Sequence, residues 1–269
     1  MIGDLVNGRE KSSILLVKDF ADASGRPVLA CFLVSLAQRF DEVHVICFDS
    51  RSRDLLHVVN PNISPRVKFH DGSRDLLNWN KRSQLHVDTD LSKFVQSQIG
   101  CHGNKKIAVV IDSISPLILH RPVPYTCQTI NRLSTNVEQV ICLLHSDLHD
   151  KHSMSMIEHV SSSVLTMEIP DSGDSIFCCN TLHKKPSGKI IKIREHFNLT
   201  NTFEIVEIKE VKSTVIPNKS DQTEQVNPAA NLTFNLSLSE KEIKDRSNVK
   251  LPYMYNEQRQ EETLLKVCR

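Results

Sequence analysis

From residue 12 to about residue 169, short apolar runs alternate with amphipathic stretches, the pattern that feeds βαβ units into a mainly parallel sheet. The predicted strands are SSILLVK (12–18), EVHVICF (42–48), KIAVVID (106–112), EQVICLL (138–144) and SVLTMEI (163–169). Their nearly unbroken apolar character predicts a sheet covered on both faces. After the first strand, Leu29, Phe32, Leu33, Leu36, Ala37 and Phe40 recur at three- and four-residue spacing, one apolar stripe of a helix. A second helix is predicted after Pro124, with Cys127, Ile130, Leu133 and Val137 inward, and a third from about Ser153, with Met154, Ile157 and Val160 inward.

Beyond residue 174 the pattern turns antiparallel. DSIFCCNTLHKKPSGKIIKIREHF reads as two alternating strands reversed at KKPSG, where Pro186 and Gly188 favour a turn, and FEIVEIKEV (203–211) adds a further strand. Residues 1–212 therefore form one predicted domain. Residues 213–230 lack aromatics and periodicity and read as a flexible linker. Residues 231–255 regain pattern: NLTFNLSL is strand-like, Ser239 and Glu242 form a capping box, and LPYMY is an apolar cluster. So short a segment cannot bury its own apolar side chains, so Leu232, Phe234, Leu236, Leu251 and Tyr253 are expected to dock on a partner chain or to brace the edge of this domain. Residues 256–269 remain as a C-terminal tail.

Composition narrows the class. With 269 residues, 39% of them hydrophobic, the chain can bury a sizeable core. The 33 basic and 32 acidic residues leave a formal charge of +1, so any surface for a polyanion must be local. The longest apolar run, VLACFLV (28–34), is far too short to span a bilayer, and the opening residues do not form a signal peptide. A soluble intracellular protein is expected. Of the eight cysteines, Cys31, Cys47, Cys142 and Cys178 lie in apolar runs where reduced thiols pack as small hydrophobes. No C-x-x-C pair is present to favour zinc.

Candidate chemistry centres on FADASGRP (20–27), which lies between the first strand and first long helix with the four-residue spacing of a phosphate-binding P-loop. Only Gly25 fits that consensus. Phe20 stands at the first glycine, Arg26 at the lysine and Pro27 at the hydroxyl residue that ligates magnesium. Phe20 is expected to be strained if the loop forces it into the left-handed region. Asp112, ending IAVVI, matches a Walker B pattern. Together these features predict a degenerate RecA-like α/β fold, mainly parallel with C-terminal antiparallel strands, that binds no cofactor and hydrolyses nothing. An ordinary strand-to-helix turn accounts for residues 20–27 equally well.

HSDLHDKH gathers His145, Asp147, His149, Asp150 and His152, but the segment follows a strand and reads as its polar end rather than a metal site. The densest basic cluster is the hairpin, with His183, Lys184, Lys185, Lys189, Lys192 and Arg194. Lys184, Lys185 and Lys189 are candidate contacts to nucleic-acid phosphates, whereas solvated turn lysines are the bland alternative. Lys105 and Lys106 are weaker candidates of the same kind. No motif of a hydrolase, zinc protease or dinucleotide enzyme is present.

The ordered set FHDGSRDLLNW (69–79), VIDSISPLILHRP (110–122), LLHSDLH (143–149) and NLTFNLSLSEKEIKDRSNVKLPY (231–253) resembles the Elongator complex protein 5 family. The resemblance implies a non-catalytic RecA-like subunit, joined to Elongator proteins four and six in a heterohexameric ring. That ring binds tRNA and accompanies the catalytic Elongator subcomplex, which modifies the C5 position of wobble uridine. It further implies residence in the cytoplasm and nucleus and no membrane partner. The competing expectation is an active RecA-family ATPase such as a recombination paralogue, which Phe20 and Pro27 disfavour.

Overall fold

The computed structural model describes residues 1–49, 64–80, 83–99, 105–171 and 176–211. The expected linker, the docking positions Leu232, Phe234, Leu236, Leu251 and Tyr253, and the tail lie outside the described residues. In chain order the elements are α1 (Ile2–Val6), β1 (Ile14–Asp19), α2 (Arg26–Arg39), β2 (Glu42–Cys47), β3 (Val67–Asp71), α3 (Leu91–Ile99), β4 (Ile107–Ile111), α4 (Ser115–His120), α5 (Val123–Asn136), β5 (Gln139–His145), α6 (Lys151–Val160), β6 (Ser163–Glu168), β7 (Phe177–Lys184), β8 (Ile190–Leu199) and β9 (Ile205–Val211).

The described strands make one nine-stranded sheet in the order β3-β2-β4-β5-β1-β6-β7-β8-β9. Pairing is parallel from β3 through β6 and antiparallel from β6 through β9. Alternate side chains divide the core in two. Leu15, Val17, Val43, Val45, Val110, Ile141 and Leu143 pack under α1 and α2, against Leu5, Phe32, Leu33 and Leu36. Ile14, Leu16, Ile46, Val109, Ile111, Val140 and Cys142 face α3, α4, α5 and α6, against Val95, Leu117, Ile130, Leu133 and Ile157. Burial on both faces explains why these strands read as continuous apolar runs.

The helical stripe from Leu29 to Phe40 is buried as its spacing predicts, and so are Cys127, Ile130, Leu133 and Val137. Of the three α6 positions expected inward, Ile157 is buried, while Met154 and Val160 pack at the margin. Asp150 starts that helix by accepting hydrogen bonds from the backbone N–H groups of His152 and Ser153, at 2.8 and 3.0 Å. The hairpin reverses at Gly188, whose φ of +83° places it in the left-handed region that glycine tolerates best. The thiols of Cys31, Cys142 and Cys179 are buried, which pushes each up to about 12 and keeps it protonated. Among the described residues no helix is long and apolar enough to cross a membrane.

Candidate functional site

β2, β4, β5 and β1 are consecutive and parallel, so their carboxyl ends meet along one edge, where open α/β sheets bind ligands. The turn at residues 20–25 sits on this edge between β1 and α2. Its start is a tight reversal: Phe20 and Ala23 exchange backbone hydrogen bonds of 3.4 and 3.0 Å. The expected strain at Phe20 is therefore absent. Outside glycine, the described residues with positive φ are Asn78, Phe203 and Glu207, because a closed turn, unlike a loop wrapped around phosphate, does not force Phe20 left-handed. Gly25 caps α2 and Pro27 lies in its first turn, where a missing N–H breaks no helical bond.

A phosphate loop needs N–H groups converging on empty space. Here the chain's own carboxylates occupy them. The Gly25 N–H donates to Asp19 Oδ2 at 2.8 Å, and the Ala21 N–H donates to Asp147 Oδ2 at 3.2 Å. Asp19 Oδ1 lies 2.7 Å from His145 Nδ1, and His145 Nε2 lies 3.5 Å from Asp49 Oδ2. Asp49 also pairs with the Arg26 guanidinium, and the Ser146 hydroxyl donates to the Asp19 carbonyl. The hydrogen bond to Asp19 raises the His145 pKa above its ordinary value against the effect of burial; Asp49 adds to the rise and Arg26 opposes it. The remaining space is an open cavity of ≈ 250 Å³ lined by Asp19, Phe20, Ser24, Arg26, His145 and Asp147. An incoming phosphate would meet this carboxylate cluster, with Arg26 already held by one of its members.

Asp112 stands where a Walker B carboxylate belongs, just past β4 and buried. Its Oδ1 accepts from the Phe48 N–H at 2.7 Å and its Oδ2 from the Asp49 N–H at 3.2 Å, so it ties down the end of β2. The histidine-rich stretch is dispersed. His145 serves Asp19, Asp147 serves the turn and Asp150 caps α6. Among the described residues no group of three or more His, Cys, Asp or Glu could hold a metal ion. Sequence reasoning missed Asp19 and Asp49. Each is a carboxylate just past a predicted strand, and neither signals a role until the strand order joins them.

The hairpin's basic residues are not equivalent. His183 is fully buried, with Nδ1 2.7 Å from the Ser163 hydroxyl. Lys184 Nζ donates to the carbonyls of Glu158 and His159 at the carboxyl end of α6, and Lys185 pairs with Glu10 at 2.6 Å. Arg194 bridges Glu168 and Asp171. Lys189 and Lys192 are exposed, and their side chains make no hydrogen bond or ion pair among the described residues. Four of the six clustered residues thus hold the domain together, through contacts that the sequence does not show.

The fold resembles solved α/β structures. One is the flagellar accessory protein FlaH from Methanocaldococcus jannaschii (TM-score 0.53, 16% identity), with 77% of this chain and 94% of that chain covered. Another is an ATPase domain (TM-score 0.50, 12% identity), with 78% of this chain and 91% of that chain covered. These likenesses, with the strand order, give a RecA-like fold. By sequence, the chain is 28% identical over 263 residues to Elongator complex protein 5 of Danio rerio, covering 96% of this chain and 88% of the relative. It is 27% identical to the protein of the same name from Mus musculus, covering 93% and 86% respectively. The profile of the Elongator subunit Iki1 family matches residues 1–175 and 171–263. Those two matches span nearly the whole sequence, and the chain belongs to the Elongator subunit Iki1 family.

Proposed function

We propose that the chain is a non-catalytic, structural and tRNA-binding subunit of the Elongator complex, required for modification of wobble uridine at C5. The family places it in an Elongator role, and its relatives are named as Elongator subunits. The observation that carries the non-catalytic part is the Asp19 carboxylate seated on the Gly25 N–H, at the position an ATPase would give to phosphate. Pro27 supplies no hydroxyl for magnesium, and Asp112 is engaged with the end of β2. A RecA-like fold without its nucleotide is left with association as its use. In this reading it packs with Elongator proteins four and six into a heterohexameric ring that accompanies the catalytic subcomplex in cytoplasm and nucleus. The apolar positions Leu232, Phe234, Leu236, Leu251 and Tyr253 are its proposed partner contacts. Lys184, Lys185 and Lys189 are its proposed phosphate contacts on the hairpin; Lys184 also reaches the α6 carbonyls and Lys185 also pairs with Glu10, while Lys189 makes no ion pair among the described residues.

Co-expression with those two partners, followed by mass measurement of the purified assembly, tests this reading. A ring containing all three supports it. Failure of the chain to enter any assembly with them contradicts it.

A further inference from the structure

The two ends of the parallel strands carry opposite charge. The carboxyl edge is rich in aspartate: Asp19, Asp49, Asp71, Asp112 and Asp147 all lie at or just past strand ends. At the amino edge, Lys105 and Lys106 precede β4, Lys11 precedes β1, Arg39 ends α2, and Lys185 and Lys189 form the β7–β8 turn. An ATPase of this fold gathers its anion at the carboxyl edge. In this chain carboxylates gather at that edge, partly paired with Arg26, Arg74 and His145, and the opposite edge carries these cations beside Asp41, Glu42 and Glu138.

The amino edge also holds a cavity of ≈ 550 Å³ whose lining includes Lys11, Arg39 and Lys106. The Arg39 guanidinium is held in place from three sides. Its Nε donates to the Ser35 hydroxyl at 3.2 Å, its Cζ lies 5.4 Å from the centre of the Phe40 ring, and Gly8 passes so close that a Cβ there would fall 2.1 Å from Nη1. Gly8 has a φ of +70°, so that approach uses both its missing side chain and its left-handed backbone. Yet no carboxylate pairs with Arg39 among the described residues, and its buried Nη2 has no hydrogen-bond partner there. Burial alone holds its pKa below the ordinary value. Lys11 and Lys106 are exposed, and among the described residues their amino groups pair with no carboxylate. Of the two carboxylates in the lining, Glu10 is bound to Lys185, which leaves Glu138 against three cations.

We infer that this amino-edge cavity, with Arg39 fixed at its wall and Lys11 and Lys106 at its rim, is a seat for a backbone phosphate of RNA. The inference rests on the tRNA-binding reading above and names a place for it. Going from β4 to β8 crosses five strand spacings, about 24 Å at the usual separation. Lys106, Lys11 and Lys189 are spread over that distance, with Lys185 among them paired to Glu10, so the cavity lies on a track that one RNA backbone can follow rather than at an isolated ion site. Contacts of this kind position the nucleic acid without reading its bases.

The test is tRNA binding by this 269-residue chain across a salt series, with Lys11→Glu/Lys106→Glu, Arg39→Gln and a Lys93→Glu control on α3. Lys11 and Lys106 are exposed, so the double variant keeps the fold, which circular dichroism and the thermal midpoint verify. The expected result is at least about a tenfold loss of affinity in the double variant at low salt, with the salt slope reduced by about 2 and the control unchanged. Arg39→Gln should weaken binding in the same direction. If wild type binds tRNA and the double variant binds it equally, the seat is wrong and the tRNA reading stands. If neither wild type nor its assembly with partners binds tRNA, both fail. If inorganic phosphate alone binds wild type as tightly as tRNA does and is lost in the double variant, the seat serves a small phosphate and RNA is overturned as its occupant.

Discussion

Gly25 has φ −86° and ψ −8°, a conformation open to any residue, so the P-loop resemblance does not explain its presence through backbone freedom. Proximity does. A Cβ at this position would lie 2.8 Å from Leu143 Cδ1, 2.8 Å from Val17 Cγ1 and 3.2 Å from Asp19 Cβ. Val17 and Leu143 are themselves fully buried and have little room to yield. Gly25→Ala should therefore destabilise the domain by about 1–3 kcal/mol, the usual range for overpacking, read from urea midpoints. A second expectation concerns His145, whose pKa is raised chiefly by its hydrogen bond to Asp19. A histidine with a raised folded pKa contributes stability that is fully present below its unfolded value of ~6.5 and is lost as pH rises through the folded one. Wild-type stability should fall over that alkaline-side window, and Asp19→Asn should flatten the fall. Urea midpoints between pH 5 and pH 9 measure both. A wild-type profile that rises through the window would contradict the Asp19–His145 pairing.

At the scale of elements, the interior strands were legible because burial on both faces wrote unbroken apolar runs into the sequence, and each predicted core strand lies within two residues of its observed bounds. The edge strand β3 was not. In VKFHD only Val67 is buried, and a strand paired on one side with polar side chains leaves no periodic signal. What holds β3 is a chain of polar contacts invisible before pairing is known. His44 Nδ1 lies 2.9 Å from His70 Nε2, the two rings stack 5.1 Å apart, and Phe94 of α3 meets His70 edge-on. His44 Nε2 is 3.0 Å from Glu42 Oε1, within ion-pair distance but not aligned as a hydrogen bond, and Lys68 and Lys105 also reach Glu42. Burial first, and then nearby His44 and Lys68, pushes His70 down to about 4, while burial also lowers His44. The sign is the reverse of that at His145: stability is full above ~6.5 and is lost as pH falls toward the depressed folded value. Amide hydrogen exchange in β3 should accelerate selectively between pH 6 and pH 4, corrected for intrinsic rates. Equal protection at both ends of that range would show that the stacked histidines do not secure the edge.

For the whole molecule, the RecA-like class could be read from alternating strands and helices, and the departure of residues 20–27 from the P-loop consensus from Phe20 and Pro27. The contacts that occupy that turn could not. Asp19, Asp49 and Asp147 come from the ends of three strands, and only the order β2-β4-β5-β1 brings them around one turn. In the sequence Asp147 belonged instead to a histidine-rich stretch with the look of a metal cluster. The same limit applies to the amino edge, where Arg39 closes an amphipathic helix and gives no sign of the cavity beside it. In the proposed function, the turn between β1 and α2 is occupied by the chain's own carboxylates and the cations of interest lie at the other end of the strands.

Titration of magnesium-ATP into the purified chain by calorimetry, with turnover followed in the same samples, tests this account most directly. The carboxylate-filled turn predicts no saturable heat and no phosphate release. Saturable, magnesium-dependent ATP binding that is lost on Arg26→Ala would contradict it.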